Sequence, residues 1–312
     1  MKKKICVLGA GIVGICTAWQ AREQFGDDYQ IYVVADNFED KTVSASSTGI
    51  FEPLSPEKIS DNFEELWMLS WDFYIDLMKS KEAGKTGISF VDGFRCHQTA
   101  VPDEVIAQTK KLVYNFKEIE PTSLPLVDDI TKINKVYQFT TLMLECSKFL
   151  PWASEVLINK GVKFLNRHID NFQELANGGY DIIFNCSGLG SRKLAKDYIL
   201  SSVRGQIVKV NAPWIKQFYN FVDEETSVYP GQDGCVVGST FQIDNEDPEP
   251  CKNDTNTMLK RAAGRIPSLE NASIQIELVG FRPNRSAMRM EKGNTLTNKF
   301  DNRQVRIFHN YG

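Results

Sequence analysis

The sequence lacks the features that mark several specialised classes of protein. No apolar run approaches the ~18 residues of a membrane-spanning helix. Basic residues are not in excess, since 36 Lys and Arg face 40 Asp and Glu for a net charge of −4, which argues against a nucleic-acid surface. The seven cysteines show no C-x-x-C spacing, so neither a disulfide framework nor a zinc site is indicated. We therefore expect a globular enzyme of a reducing compartment, with no membrane or nucleic-acid partner.

The first glycines of the chain follow a pattern that is typical of dinucleotide binding. A buried strand over residues 5–8 leads straight into Gly9, Gly11 and Gly14. Gly9 permits a tight turn, Gly11 lets the backbone approach the phosphates, and Gly14 lets the following helix pack close to the strand. Because the N-terminus of that helix would face the anion, the sequence predicts a pyrophosphate site at this turn.

The residues after these glycines match the same motif. A helix is predicted over Ile12–Phe25 and a second strand over residues 30–35, and Asp36 ends that strand. A carboxylate at this place can accept a hydrogen bond from a ribose hydroxyl. Ile12 and Val13 open the helix, and we include both among the predicted cofactor-binding residues. The strand, helix, strand and acid in this order indicate a nucleotide site more strongly than the glycines alone.

Later segments predict a return to this sheet and a second sheet of another kind. Helices are predicted over residues 61–79, with aromatic side chains in the core, and over residues 140–160. Residues 180–186 form a largely apolar strand before a small-residue turn, which is typical of the carboxyl edge of a parallel sheet. Short alternating strands between residues 205 and 289, with hairpin residues at 230–234, predict an antiparallel sheet.

Six sequence blocks, spread in order over the whole chain, carry a more specific signal. They are VLGAGIVG at 7–14, NCSG at 185–188, VRGQIVKVNAPW at 203–214, VGSTFQ at 237–242, VGFRP at 279–283 and HNYG at 309–312. With these blocks the chain resembles the family of D-amino-acid oxidases and D-aspartate oxidases. The resemblance implies an FAD-dependent enzyme that oxidises D-amino acids.

The fold that the resemblance implies is α/β. It combines a Rossmann-like FAD-binding domain with a second, largely antiparallel substrate-binding domain. We expect residues 1–50, 140–204 and 290–312 to form the discontinuous FAD-binding domain. Residues 51–139 and 205–289 would then form the substrate and interface domain, and the family also implies a homodimer.

The resemblance also implies residues for both sites. Arg282 matches the arginine that binds the substrate carboxylate, a task suited to a planar fork of paired donors. Glu52, Ser227 and Phe241 match further substrate-binding positions. The predicted cofactor-binding residues are Gly9, Gly11, Ile12, Val13, Gly14, Asp36, Asn37, Thr42, Val43, Ser44, Thr48, Gly49, Ile50, Ile169 and Ser187. The apolar Ile169 could equally be a packing residue.

The implied chemistry needs no general acid or base, so we predict no catalytic side chain and no metal. The substrate is held by its carboxylate, loses a proton from nitrogen and passes its α-hydrogen as a hydride to flavin N5. The imino acid hydrolyses to a 2-oxo acid and ammonia, and dioxygen reoxidises the flavin to give hydrogen peroxide. The three histidines, His97, His168 and His309, receive no catalytic role.

Two positions argue against an acidic substrate. The aspartate-specific branch of the family carries a basic residue where this chain has Phe241, and a further arginine where it has Asn220. We expect Phe241 to be buried, and a buried phenyl ring cannot pair with a β-carboxylate. Neutral D-amino acids are therefore predicted. If Glu52 points into the substrate chamber, it favours a basic side chain such as that of D-arginine or D-lysine, whereas a solvated Glu52 is the alternative.

Other positions keep D-aspartate oxidase open as an alternative. Residues 218–226 are predicted to form a short loop, in place of the longer lid of the neutral-substrate enzymes, and in this the chain resembles the aspartate branch. Ser227 stands where the family usually has an active-site tyrosine, which weakens the grip on the substrate carboxylate. Tyr229 lies on the same side of the predicted strand but further along, so it is not a simple replacement.

The end of the chain supports a further alternative. In the family, the block at 309–312 opens a Gly-rich loop and a helix that face the flavin, and this sequence stops at Gly312. An inactive, truncated family member that holds FAD weakly is therefore an alternative, whereas an NAD-dependent dehydrogenase is disfavoured. The family implies a peroxisomal location, but the sequence has no Ser-Lys-Leu ending, which leaves the cytoplasm open.

Overall fold

The computed structural model describes residues 2–52 and 63–312 of the chain. Helices and strands are mixed along these residues. The helices are α1 (Ile12–Phe25), α2 (Phe63–Lys79), α3 (Asp103–Leu112), α4 (Cys146–Asn159), α5 (Phe172–Asn177), α6 (Ser191–Leu194) and α7 (Lys252–Arg265). The strands are β1 (Lys3–Leu8), β2 (Tyr29–Ala35), β3 (Ile88–His97), β4 (Tyr114–Ile119), β5 (Lys135–Leu144), β6 (Lys163–Asn166), β7 (Ile182–Asn185), β8 (Ser201–Asn211), β9 (Phe218–Phe221), β10 (Thr226–Pro230), β11 (Cys235–Val237), β12 (Gln242–Ile243), β13 (Ser273–Asn284), β14 (Arg289–Thr297) and β15 (Gln304–Tyr311).

The chain divides into two compact units, each assembled from separate segments. Unit 1 consists of Met1–Ser47, Cys146–Val203 and Arg282–Gly312. Unit 2 consists of Thr48–Glu145 and Arg204–Phe281. The borders expected from the sequence differ by a few residues from these, and the largest difference is at the last one, where unit 1 resumes at Arg282 rather than at residue 290.

The sheet of unit 1 is parallel except at one edge. Its strand order is β14-β15-β7-β1-β2-β6, and β14 alone runs antiparallel to its neighbour. The carboxyl ends of β1, β2 and β7 therefore meet at one edge of the sheet, because these three strands point the same way. This edge is where an α/β sheet offers its ligand-binding crevice.

Helix α1 covers the centre of this sheet with small side chains. Its buried residues are Gly14, Ile15, Ala18 and Ala21, which follow the spacing of a single helix face. The sheet itself contributes a buried apolar cluster with residues from β1, β2, β7 and β15. Glycine and alanine at the contact let the helix approach the strands closely, as the glycine pattern predicted.

The sheet of unit 2 is mainly antiparallel. The order is β12-β8-β11-β10-β9-β3-β5-β4, and β13 pairs with β8 outside this path. Strands β3 and β5 pair antiparallel along their whole length, whereas β9 lies parallel to β3. The predicted hairpin at 230–234 is confirmed, since β10 and β11 pair antiparallel and the Gly231 N–H donates to the Gly234 carbonyl at 2.7 Å.

Both faces of this sheet are packed. Phe94 and Tyr219 lie on one face, in a buried cluster with Met258 of α7. Phe218 and Tyr229 lie on the other face, in a second buried cluster. Successive residues of a strand point to opposite faces, so burial on both sides explains why β9 has buried apolar residues at successive positions.

A buried arginine organises the loop before α7. Arg204, only 1% exposed, donates to the backbone carbonyls of Asp247 at 2.7 Å and Glu249 at 2.6 Å, and to the Gln206 side chain at 3.1 Å. Gln206 in turn donates to the Cys251 carbonyl at 3.1 Å. The Arg-Gly-Gln block is therefore a structural element of unit 2, because its polar side chains hold backbone groups of this loop.

Two predictions of secondary structure are wrong. Residues 140–144, predicted as the start of a helix, belong to β5, because a short apolar run cannot be assigned to a helix or a strand by periodicity alone. The segment 218–226 is not a loop, since β9 and β10 are joined by a short helical turn over Val222–Glu224.

The aromatic core of α2 is confirmed by the burial of Trp67, Trp71 and Tyr74. Among residues 2–52 and 63–312, none of the helices is long and apolar enough to cross a membrane.

Candidate functional site

The turn after β1 has room only for glycine at two positions. Gly9 has a φ of +111°, and a Cβ added to it would lie 2.3 Å from the Cys186 carbonyl oxygen. A Cβ on Gly14 would lie 2.0 Å from the Gly9 carbonyl oxygen. Side chains at either position would push the turn away from β7 or push α1 away from the turn. Both glycines are therefore fixed by close backbone packing, as the motif requires.

The N-terminus of α1 is lined by backbone amides and one hydroxyl. The Ile12 N–H donates to the Ser44 hydroxyl oxygen at 2.9 Å, and a Cβ added to Gly11 would lie 2.9 Å from the same oxygen. Val13, next in the helix, is partly exposed. A phosphate fits such a helix end because unsatisfied N–H groups and the helix dipole both favour an anion.

The segment before unit 2 places further polar groups beside this helix end. Thr42 precedes a short helical turn over Val43–Ser46, and the Thr42 hydroxyl donates to the Glu39 carbonyl at 2.7 Å. Val43 is exposed, so it can offer a ligand only its backbone. The segment 42–44, predicted to contact the diphosphate, thus lies in unit 1 and contacts the start of α1 through Ser44.

Asp36 follows β2 at the same edge of the sheet and is paired with a histidine. Its two carboxylate oxygens lie 3.0 and 2.9 Å from Nδ1 of His168. The hydrogen bond and charge of Asp36 raise the pKa of His168 above its usual value. Asn37 is exposed beside Asp36, and Ile169 is buried beside His168. No sequence pattern pairs His168 with Asp36, because 132 positions separate them.

A buried polar network closes the carboxyl end of β7. The Ser187 hydroxyl donates to the Asn185 side-chain oxygen at 2.7 Å and lies 2.9 Å from the Ser191 hydroxyl. The Asn185 amide nitrogen lies 3.1 Å from Nδ1 of His309 on β15. Burial, with the nearby Arg289 charge, lowers the pKa of His309. Ser187, predicted from the Asn-Cys-Ser-Gly block, is therefore held by Asn185 and Ser191, and Asn185 is in turn in contact with His309, which sequence analysis did not identify.

A second buried network in unit 1 centres on a carboxylate. Asp197 accepts hydrogen bonds from the Tyr311 hydroxyl at 3.0 Å and from Arg285 Nε at 3.0 Å, and Arg289 Nη1 lies 3.4 Å away. Burial alone would raise the pKa of Asp197, but the Tyr311 hydrogen bond and the two arginines outweigh it and lower that pKa. Arg282, on β13, is half-buried, and burial lowers the pKa of its guanidinium.

The first residues of unit 2 form a strap along β5. Ile50 bridges to Met143, and the Phe51 N–H donates to the Leu142 carbonyl at 2.8 Å. Gly49 has a φ of +62°, and a Cβ added to it would lie 1.8 Å from the Leu144 carbonyl oxygen. Thr48, Gly49 and Ile50, predicted as cofactor-binding residues, thus belong to unit 2 rather than to unit 1.

This strap carries Glu52 into a cluster of polar side chains. The two Glu52 carboxylate oxygens accept hydrogen bonds from the Asn220 amide at 2.9 and 3.0 Å. The Tyr229 hydroxyl lies 3.4 Å from one of these oxygens, and Arg95 Nε lies 3.4 Å from the other. Burial, followed by the neighbouring Glu52 charge, raises the pKa of Tyr229 well above its usual value. The solvated alternative for Glu52 is wrong, since its side chain is only 11% exposed.

The two remaining predicted substrate residues, Ser227 and Phe241, differ in solvent exposure. Ser227 is half-buried and stands opposite Asn220 in the pairing of β10 with β9. Phe241 is 52% exposed, so the expectation of a buried ring is wrong. It follows Gly238, whose φ of +78° ends the pairing of β11, and it lies in the connection to β12 rather than in a packed strand.

Comparison with known proteins assigns the whole chain to one group. A family model described as FAD dependent oxidoreductase (DAO) matches residues 4–312. Human D-aspartate oxidase is 30% identical over 310 residues, which cover 99% of this chain and 88% of the human protein. A D-amino acid oxidase of Dugesia ryukyuensis is 29% identical over 316 residues, covering 99% of this chain and 91% of the planarian protein.

Solved structures share the fold at much lower identity. Glycine oxidase from Bacillus cereus superposes with a TM-score of 0.77 at 15% identity and covers 100% of this chain and 89% of its own. L-proline dehydrogenase from P. horikoshii superposes with a TM-score of 0.74 at 16% identity, covering 99% of this chain and 88% of its own. At these identities the likeness concerns the fold alone.

Proposed function

Because the chain belongs to the DAO family of FAD-dependent oxidoreductases, whose model matches residues 4–312, we propose that it catalyses the oxidative deamination of D-amino acids. The products are a 2-oxo acid, ammonia and hydrogen peroxide, with dioxygen as the electron acceptor. The observation that carries this proposal is the full-length similarity to proteins named D-aspartate oxidase and D-amino acid oxidase. The glycine turn of unit 1 supports it, because Gly9 and Gly14 allow the close backbone packing between β1, α1 and β7 that a dinucleotide-binding turn requires.

Unit 1 supplies most of the proposed FAD-binding residues. The Val13 amide and the Ser44 hydroxyl would bind the diphosphate, with the Ile12 N–H donating to the Ser44 oxygen and so holding that hydroxyl at the helix end. Asp36 would accept from the adenosine ribose. Bound FAD supplies the hydride acceptor and the route for electrons to dioxygen. The chain's own residues orient the substrate, and Arg282 would bind the substrate α-carboxylate through its planar, permanently charged guanidinium.

The favoured substrates are D-amino acids with neutral side chains. A basic substrate side chain would need a Glu52 carboxylate whose negative charge is not already neutralised. Arg95 Nε lies 3.4 Å from this carboxylate and neutralises it. Phe241 does not argue against D-aspartate through burial, because it is half-exposed. D-aspartate oxidase stays a second candidate, since several of the similar proteins carry that name. A homodimer and a peroxisomal or cytoplasmic location stay predictions.

Peroxide production with single enantiomers tests the proposal. Protein saturated with FAD is incubated with D-alanine, L-alanine, D-aspartate and D-arginine, and hydrogen peroxide and the 2-oxo acid are measured. We expect both products in equal amounts from D-alanine and neither from L-alanine. Absence of turnover with every D-amino acid, by protein that retains FAD, would contradict the proposal.

An arginine variant tests the carboxylate site within the same assay. Arg282→Met removes two charge-assisted hydrogen bonds worth about 3 kcal/mol together. We expect kcat/KM for D-alanine to fall about a hundredfold, since 1.4 kcal/mol corresponds to a factor of ten. Arg306→Met, at an exposed position of β15, is the matched control and should keep the wild-type value. Equal behaviour of the two variants would remove Arg282 from the proposed site.

A further inference from the structure

The Glu52 cluster is a rung of polar residues on an otherwise apolar sheet face. Arg95 on β3 stands opposite Asn220 on β9, and Asn220 stands opposite Ser227 on β10. These three side chains point to the same face as Phe218 and Tyr229, which belong to a buried apolar cluster. Three neighbouring strands thus present polar groups at one level, where the rest of the face carries a buried cluster of aromatic and aliphatic side chains.

Glu52 reaches this rung through the strap along β5. Backbone hydrogen bonds of Phe51 with Leu142 and of Leu144 with Gly49 fix the strap, and the Thr141 hydroxyl donates to the Phe51 carbonyl. The backbone next to Glu52 is therefore set in place by pairing with β5. The Asn220 amide then holds the Glu52 carboxylate by donating to both of its oxygens, so that backbone and side-chain contacts together fix its position.

The charges of the cluster cancel. Glu52 contributes one negative charge and Arg95 one positive charge, with side chains 11% and 16% exposed. The neighbouring His97 is neutral at physiological pH, because burial and then the Arg95 charge lower its pKa to about 4. Burial raises the pKa of Tyr229, so its phenol is also neutral. The rung therefore has a net charge close to zero although it holds two ionised groups.

Such a pair is a poor device for stability alone. Removing two ions from water costs several kcal/mol, and apolar residues of similar volume often do as well or better in the same place. On this face, which already carries a buried apolar cluster, apolar residues could replace the ion pair without loss of stability. A fixed, half-buried, charge-neutral set of donors and acceptors is what a site needs to bind polar ligands while rejecting a net charge.

We propose that the Glu52–Arg95 ion pair sets the charge preference of the substrate side chain, so that neutral D-amino acids are selected against acidic and basic ones. This inference rests on the proposed function and assigns the polar face of unit 2 to the side-chain end of the substrate. Arg95 cancels the Glu52 charge that would attract D-arginine. Glu52 cancels the Arg95 charge that would attract D-aspartate. Each residue thus masks a specificity that its partner would otherwise confer.

Opposite shifts in substrate preference test the pair. For Glu52→Gln, which keeps the shape and can still accept from Asn220, we expect the ratio of kcat/KM for D-aspartate to that for D-alanine to rise at least about tenfold, or about 1.4 kcal/mol. For Arg95→Met we expect the ratio for D-arginine to D-alanine to rise by a similar factor. The double variant should return both ratios to within about threefold of wild type, because the charges cancel again.

A matched control separates local charge from net charge. Glu118→Gln removes one acidic charge from an exposed ion pair with Lys135 in the same unit, and it should leave both ratios unchanged. Thermal unfolding of each variant accompanies the kinetics, since a buried charge left alone destabilises the protein. If Arg95→Met does not fold, Glu52→Gln and the double variant still give different expectations for D-aspartate, a raised ratio for the first and a ratio near wild type for the second.

A binding measurement adds a readout that does not need turnover. Malonate and acetate are titrated into the FAD-loaded protein, and the change in the flavin absorbance band is followed. Glu52→Gln should improve the affinity for malonate relative to acetate by about tenfold. If wild type oxidises D-alanine but the variants lose activity equally for all substrates, the pair is structural and this inference fails while the proposed function stands. If wild type oxidises no D-amino acid, both fail.

Discussion

Replacing Asp197 by asparagine should destabilise unit 1 by about 3 kcal/mol. The side chain of Asp197 is 2% exposed and accepts from Tyr311 and Arg285 at 3.0 Å each. Removing one partner of a buried ion pair costs about 3 to 5 kcal/mol, because the remaining charge stays desolvated. Arg285 and Arg289 are 19% and 22% exposed and can recover some hydration, which places the expected loss at the lower end.

The effect of Asp197→Asn should depend on pH in a defined direction. The pKa of Asp197 is lower in the folded protein than in the unfolded chain, where it is near 3.9. Its contribution to the free energy of unfolding is therefore complete at neutral pH, and it is lost as the pH falls below about 4 towards the folded-state pKa. Wild type and variant should differ most at pH 7 and converge below pH 4.

Urea unfolding followed by circular dichroism measures both effects. The midpoint at pH 7 should fall by about 3 kcal/mol divided by the m-value, while the m-value itself stays unchanged. Asp301→Asn is the control, because this exposed carboxylate pairs only on the surface with Arg303 and should leave the midpoint where it is. A variant Asp197→Asn as stable as wild type at pH 7 would refute the reasoning about this network.

Two further predictions concern FAD binding by unit 1. Gly14→Ala should weaken FAD binding at least about tenfold, because the added Cβ would lie 2.0 Å from the Gly9 carbonyl oxygen and displace α1. Gly264→Ala is the control and should bind FAD as wild type does, since its added Cβ has nothing within 4 Å among the described residues. Fluorescence titration with FAD distinguishes these outcomes. Asp36 raises the pKa of His168, so FAD affinity should increase about threefold as the pH rises through that pKa and frees the carboxylate. A wild-type titration as flat between pH 6 and 9 as that of His168→Ala would speak against this competition.

How far the sequence predicts this protein depends on whether a feature is local. Helix α1 was predicted with its observed bounds, because the glycine turn and Gly26 mark its ends within the sequence itself. Residues 140–144 are predicted as helix but form a strand, because only pairing with the distant strand β3 decides between the two for this apolar run. Phe241 was expected to be buried, but it follows a glycine that ends a strand and lies half-exposed.

Long-range polar contacts lay beyond the reach of sequence patterns. Glu52 and Asn220 are separated by 168 positions, and nothing near either residue indicates the other. A charged residue inside the buried strand β3 was the one available signal for Arg95, whose neighbours Phe94 and Cys96 are apolar. The glycine pattern predicts where a dinucleotide would bind, while the residues that we propose to set substrate preference come together only in the fold of unit 2.

An anaerobic flavin spectrum is the most direct test that this chain is an FAD-dependent oxidase of D-amino acids. The purified protein is mixed with FAD and desalted, its absorbance spectrum is recorded, and D-alanine and L-alanine are added to separate anaerobic cells. We predict that the flavin stays bound, that the visible absorbance band of its oxidised form bleaches with D-alanine and not with L-alanine, and that air restores this band. Flavin that remains oxidised with every D-amino acid tried, or bleaches equally with both enantiomers, would contradict the assignment.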